Sequence, residues 1–141
     1  MSKHTPNIYL DIDGVLLMDI GEAAPYANEF LSLVLDRYPD TTYWLTTHQW
    51  HGESNAIAHL APYLKPEVAQ RLHLIKDSEW GTWKTDGIDF TKPFLWFDDD
   101  LYTIERETLI KHNALDNHIL VNFHKDPNQL SDFVRSFPVA I

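Results

Sequence analysis

Short apolar runs alternate with longer amphipathic stretches along the chain, a rhythm that predicts βαβ units. Ile8-Tyr9-Leu10 is stopped by Asp11 and followed by Gly14, which reads as a buried strand ending in a turn. From Ala27 to Tyr38, the residues Phe30, Leu31, Val34, Leu35 and Tyr38 recur at helical spacing, and Pro39-Asp40 ends the pattern. Tyr43-Trp44-Leu45 forms a second strand closed by Thr46-Thr47. Glu53 to Leu64 returns to helix, with Ile57, Leu60, Ala61 and Leu64 on one face and Pro62 distorting its end; Pro66 opens a further short helix through Ala69.

Leu72 to Ile75 reads as a third strand, and Lys76 to Thr91 as a loop with one helical turn. Phe94-Leu95-Trp96-Phe97 is the clearest buried strand, wholly apolar and stopped by three carboxylates. Leu101 to His112 is helical, with Ile104, Leu109 and Ile110 inward; Ile119-Leu120-Val121 makes a fifth strand, and Asn128 to Ser136 a last helix. No internal repeat, low-complexity tract or long linker divides the chain, so residues 1–141 read as one domain. The expected fold is α/β: a five-stranded, mainly parallel sheet in a three-layer arrangement.

Composition narrows the chemistry. With 44% hydrophobic and 13% aromatic residues, the chain has ample surface for a packed core. Zero Cys removes disulfides, thiolate metal sites and cysteine nucleophiles. A net charge of -10 makes tight duplex nucleic-acid binding unfavourable, although a small phosphate-bearing substrate stays open. The N-terminal apolar stretch is too short for a signal-peptide core, and no apolar run reaches the length of a membrane span. The expectation is a soluble, cytoplasmic protein with no membrane partner.

Three predicted strands end in polar groups: Asp11-Ile12-Asp13, Thr46-Thr47 and Asp98-Asp99-Asp100. In a parallel sheet those ends share one edge, where ligands bind. Carboxylates converging there repel and lose hydration unless a cation compensates. Mg²⁺ suits such a site, because it takes few protein carboxylates, keeps waters and leaves positions for substrate phosphate.

The run Ile8 to Leu16, three apolar residues before Asp-x-Asp-Gly-Val, resembles the first motif of the haloacid dehalogenase (HAD) superfamily of phosphatases and phosphotransferases. Leu45-Thr46 resembles its second motif, and Phe94 to Asp99 the adjacent-Asp form of its fourth. The third motif is a single Lys, here Lys84 or Lys76. The resemblance implies a Rossmann-like three-layer core and a Mg²⁺-dependent phosphatase. Asp11 would be the nucleophile that forms an aspartyl-phosphate, and Asp13 the general acid and then base. Thr46, with Thr47 as a substitute, would donate to a phosphoryl oxygen, and Lys84 would hold the charges of Asp11 and phosphate together. Asp11, Asp98, Asp99 and the backbone carbonyl of Asp13 would hold Mg²⁺, while Asp100 caps the following helix.

Fewer than about forty residues separate Asp13 from Thr46, and Thr46 from Lys84, too few for an inserted cap domain. An open site of that kind suits a phosphorylated small molecule or a phosphorylated macromolecular end. His48, Trp50 and His51 follow the second motif and would line the entrance, with Trp50 positioned to stack on a base or sugar. Read as a metal site, His48, His51 and Glu53 lack the helical His pair of a zinc protease, which favours a substrate-facing loop. Trp44, Trp80, Trp83 and Trp96 read as core or site-wall residues. Trp44 to Asn55, Trp83-Lys84-Thr85 and Trp96 to Asp99 are similar to the HAD domain of Swiss Army Knife RNA-repair proteins, which would make the substrate a nucleic-acid end. The competing class is a catalytically weak HAD-like binding or structural module.

Overall fold

A computed structural model of the chain describes residues 5–50 and 53–140, with Trp50 and Glu53 given by backbone alone. The elements are β1 (Asn7–Leu10), α1 (Ala27–Arg37), β2 (Thr42–Trp44), β3 (Gln49–Trp50), β4 (Glu53–Ser54), α2 (Ala56–Leu60), α3 (Pro66–Ala69), β5 (Lys76–Asp77), β6 (Phe94–Asp98), α4 (Thr103–Lys111), β7 (His118–Leu120) and α5 (Gln129–Arg135). Short 3₁₀ turns connect several of them.

Five strands form one parallel sheet in the order β5-β2-β1-β6-β7. From β1 the chain moves outward through β2 to β5, then returns to lay β6 on the other side of β1. The order therefore reverses between β1 and β6, the position at which open α/β sheets leave a crevice. A separate antiparallel hairpin joins β3 to β4.

Side-chain alternation divides the central strands between two cores. Ile8, Leu10, Leu95 and Phe97 pack with Phe30, Leu31, Val34 and Leu35 of α1 and Leu130 of α5. Each of the four large α1 side chains contributes about 1.5–3 kcal/mol by burial. Tyr9, Phe94 and Trp96 face the second cluster, which includes Leu109 of α4. The register Ile8↔Leu95, Tyr9↔Trp96 and Leu10↔Phe97 keeps like faces together.

Several boundaries differ from expectation. Leu72–Leu74 is a 3₁₀ turn whose Leu72 is buried, and the third sheet strand is the following pair, Lys76–Asp77, both exposed at the sheet edge. A polar two-residue edge strand carries no periodic signal. The helix expected from Glu53 begins only at Ala56, because Glu53–Ser54 pairs with Gln49–Trp50, and Ile57 faces solvent. In α4, Ile104 and Ile110 are about half exposed, at 48% and 51%, whereas Glu105 and Leu109 are buried. Those two are one helical turn apart and define the inward face.

Candidate active site

Parallel pairing of β1 with β6 ends at Leu10↔Phe97, so Asp11 and Asp98 emerge side by side at the carboxyl edge. The N–H of Asp11 still donates to the carbonyl of Phe97 at 3.1 Å, which extends the ladder to the first acidic residue. Both carboxylates are buried, Asp11 at 7% exposure and Asp98 at 2%. Lys84 Nζ joins them, 3.2 Å from Asp11 Oδ2 and 2.7 Å from Asp98 Oδ2. Asp11 Oδ1 accepts the N–H of Ile12 at 2.8 Å. Asp98 Oδ2 also accepts Trp96 Nε1–H at 3.2 Å, and its Oδ1 accepts the N–H of Asp100 at 3.1 Å. Every carboxylate oxygen of the pair is thus engaged.

Lys84 opens a 3₁₀ turn, Lys84–Gly87, that sequence pattern shows only as a loop. Its backbone N–H donates to Glu105 Oε2 at 3.0 Å, while Glu105 Oε1 accepts the N–H of Tyr102 at 3.1 Å. One buried carboxylate from α4 therefore anchors the lysine and caps its own helix. Asp100, expected to cap that helix, instead accepts the N–H of Leu101 at 2.8 Å, before the helix begins. Lys76, the alternative third-motif lysine, lies away from these carboxylates and donates to the carbonyl of Asp40 at 2.8 Å.

The electrostatics follow from burial. Desolvation, then the charge of Asp11, pushes the Asp98 carboxyl up to about 8, against the opposing pull of Lys84. Asp99 is also raised, chiefly by burial. For Lys84, burial works against the ammonium, but Asp11 and then Asp98 outweigh it and its pKa is raised.

Asp99 stands against Gly14. That glycine has φ +83°, and a Cβ on it would lie 2.2 Å from Asp99 Oδ2, so the approach requires glycine twice over. Asp11, Asp98 and Asp99 each offer one oxygen, and these atoms lie within 4.8 Å of one another. Octahedral Mg²⁺ with bonds of ~2.1 Å sets its oxygens about 3.0–4.2 Å apart, so a small contraction brings these three into its shell. Ionisation of all three carboxyls against one ammonium would leave excess negative charge, which a hard cation offsets.

Asp13 lies beyond β1, after a bend at Ile12, and its side chain is 60% exposed. His48 Nε2 lies 2.8 Å from its Oδ2 and His59 Nε2 3.0 Å from its Oδ1. The two imidazoles stack with centroids 3.7 Å apart. Burial raises the Asp13 pKa, but hydrogen bonds from His59 and then His48 outweigh it, and the carboxyl is held below its ordinary value.

Thr46 has no accessible surface. Its Oγ1 accepts the N–H of His48 at 3.3 Å, its carbonyl accepts from Gln49 N–H at 3.1 Å and Trp80 Nε1–H at 3.3 Å, and its N–H donates to Gln49 Oε1 at 3.2 Å. Thr46 is thus the pin of the 46–49 turn, and the exposed threonine at that strand end is Thr47. Trp44 and Trp96 are fully buried, and Trp83 meets Tyr102 edge to face. His51 and the side chains of Trp50 and Glu53 lie outside the described residues.

Pattern reading brings out Asp11, Asp98, Asp99 and Lys84 but not His59 or Glu105. His59 stands 46 positions from Asp13 with no spacing cue, whereas Glu105, the third residue of its helix, carries a cap signal.

A cavity of about 290 Å³ opens beside Gly14 and Asp99, lined also by Met18, Val121, Asn122 and Phe123. A larger cleft, about 550 Å³ between α1 and α3, holds none of the residues above, so buried charge rather than size marks the site. Among the described residues no helix is long and apolar enough to cross a membrane. Comparison of the chain with protein-family models, curated proteins and solved structures finds no match.

Proposed function

We propose that the chain is a Mg²⁺-dependent phosphatase with a three-layer HAD-like core and no large cap, acting through an aspartyl-phosphate on Asp11. The observation that carries this reading is the Lys84 ammonium shared between the buried carboxylates of Asp11 and Asp98 at the switch between β1 and β6. A structural ion pair needs one carboxylate. Two buried ones, with a third within reach, cost folding free energy that a purely structural role does not repay. Apolar clusters on both faces of the sheet agree with three layers.

Asp11, Asp98 and Asp99 would hold Mg²⁺, with the backbone carbonyl of Asp13 as the further ligand that the resemblance implies. When bound, Mg²⁺ neutralises charge between the carboxylates and the phosphoryl oxygens. In the first step an oxygen of Asp11 bonds to phosphorus as the bond to the leaving alcohol breaks. Lys84 stabilises the charge accumulating on Asp11 and the phosphoryl group. The leaving oxygen takes a proton from the Asp13 unit, in which His48 and His59 are proton donors at hydrogen-bond distance. In the second step Asp13 takes a proton from the water that attacks phosphorus, and Asp11 is released. Because Asp13 is held below its usual range, its carboxylate form suits this second step.

At the end of β2, the phosphoryl contact falls to exposed Thr47, while Thr46 holds the turn that presents it. The cavity beside Gly14 and Asp99 is open enough for a phosphorylated small molecule or chain end. Turnover of p-nitrophenyl phosphate with and without Mg²⁺ tests the reading. Hydrolysis that needs Mg²⁺ and vanishes in Asp11→Asn is expected. No activity in the wild type, or equal activity in Asp11→Asn, rejects it. Phosphate release from 5′- and 3′-phosphorylated oligonucleotides, set against mononucleotides and sugar phosphates, then distinguishes the RNA-end substrate.

A further inference from the structure

Hydrogen bonding explains why one imidazole approaches Asp13, but it does not require two stacked imidazoles on the same carboxylate. His48 Nε2 lies 2.8 Å from Oδ2 and His59 Nε2 3.0 Å from Oδ1, with ring centroids 3.7 Å apart and planes at 22°. Both nitrogens therefore face the same carboxylate, one at each oxygen. A cation that displaces the protons from those two contacts meets two imidazole lone pairs and a carboxylate oxygen together.

We infer that Asp13, His48 and His59 form a second metal site, selective for Zn²⁺ over Mg²⁺, whose occupation stops proton transfer at Asp13. The donor set of two imidazole nitrogens and one carboxylate is that of an open zinc site, with the fourth position left to water. Zinc bonds of about 2.0–2.2 Å put tetrahedral donors about 3.3 Å apart. His48 Nε2 lies 2.8 Å from Oδ2, and the two Nε2 atoms and one carboxylate oxygen lie within 4.8 Å of one another, so small side-chain adjustments bring the set to that spacing. Binding leaves each ring neutral with its proton on Nδ1, so that Nε2 presents its lone pair to the metal.

The backbone holds this set together. The N–H of Asn55 donates to the carbonyl of His48 at 3.0 Å, and the N–H of His59 to the carbonyl of Asn55 at 2.9 Å. The β3–β4 hairpin closes between them, so one short pair of bonds links the turn bearing His48 to the helix bearing His59. Ligand type separates the two sites: nitrogen donors suit zinc, and the all-oxygen group of Asp11, Asp98 and Asp99 suits magnesium.

Zinc binding stands apart from the phosphatase reading; only its effect on Asp13 rests on that reading. Calorimetric titration of the full chain with Zn²⁺ in saturating Mg²⁺ should show a single equivalent that Mg²⁺ does not displace. His48→Gln and His59→Gln should each weaken it by more than about tenfold, and Asp98→Asn should leave it in place. No binding, binding displaced by Mg²⁺, or affinity unchanged in both Gln variants would overturn the site. If a Gln variant loses its circular dichroism, imidazole ¹⁵N shifts of the wild type decide instead: Zn²⁺ must move Nε2 of both residues. With a substrate that turns over, inhibition should follow zinc occupancy, and full activity at full occupancy overturns the link to Asp13. Absence of any turnover counts against the phosphatase reading alone, because calorimetry decides the site without it.

Discussion

Glu105 reaches from the first turn of α4 to the backbone of Lys84, accepting its N–H at 3.0 Å, and its other oxygen takes the N–H of Tyr102. The lysine that bridges Asp11 and Asp98 is therefore set by a carboxylate that touches neither. Glu105→Ala leaves both N–H groups without their partner, at about 1–3 kcal/mol for each that stays buried. Urea denaturation should show that loss, and on the proposed phosphatase reading kcat should fall with it. Glu105→Gln, with one acceptor oxygen, should lie between.

Gly14→Ala tests the close approach to Asp99. A left-handed backbone costs an L-residue about 1–2 kcal/mol, and the added Cβ also displaces the Asp99 carboxylate. The thermal midpoint should fall, and any stabilisation of the wild type by Mg²⁺ at the proposed site should shrink. An unchanged magnesium response would separate Asp99 from the metal.

Asp98 gives the metal-free protein an inverted pH dependence. Its folded pKa is raised to about 8, above an ordinary 3.8, chiefly by burial and the charge of Asp11. The folded state thus binds the extra proton: this contribution is full below the unfolded value and is lost as pH rises towards and through about 8. In chelator, melting temperature should fall from pH 6 to 9, and Asp98→Asn should flatten that fall. Added Mg²⁺ should stabilise most at the alkaline end, where it meets ionised carboxylates.

His118 acts in the opposite sense. Burial lowers its pKa below 6.5, against the pull of the Asp100 carbonyl, which lies 3.1 Å from Nε2. Its contribution is full above the unfolded value and is lost as pH falls through the lowered folded one. The stability difference between wild type and His118→Gln, measured by denaturant titration across pH 5 to 8, should narrow as pH falls.

Thr46 and Thr47 should separate structure from chemistry. Thr46→Val removes the acceptor for the His48 N–H and should cost about 1 kcal/mol of stability. Thr47→Val should leave stability almost unchanged and, on the proposed phosphatase reading, lower kcat. The reverse pattern would return the phosphoryl contact to Thr46.

The central sheet was legible where strands are buried on both faces. Phe94 to Phe97 has no polar position to confuse the reading, and Ile8 to Leu10 is closed by a carboxylate and a glycine. Lys76–Asp77 was not, because an edge strand of two exposed residues differs in no way from a loop. The inward face of α4 was misread because a buried Glu105, counted as polar, rotates the apparent stripe towards Ile104 and Ile110. Both isoleucines pay for that rotation with exposure. In the site, Asp11, Asp98 and Lys84 carry local signals, whereas His59, 46 positions from Asp13, carries none and reaches it because the β3–β4 pairing sets α2 beside the turn that bears His48.

That hairpin makes the two halves of the site unequal in rigidity. Asp11 and Asp98 stand on strands bonded to neighbours on both sides, so they are freed only by opening the sheet itself. Asp13, His48 and His59 stand on turns and a five-residue helix, which can open locally at far lower free energy. Asp11 is thus fixed at the depth of global unfolding, while the group of Asp13, His48 and His59 breathes on its own, faster clock.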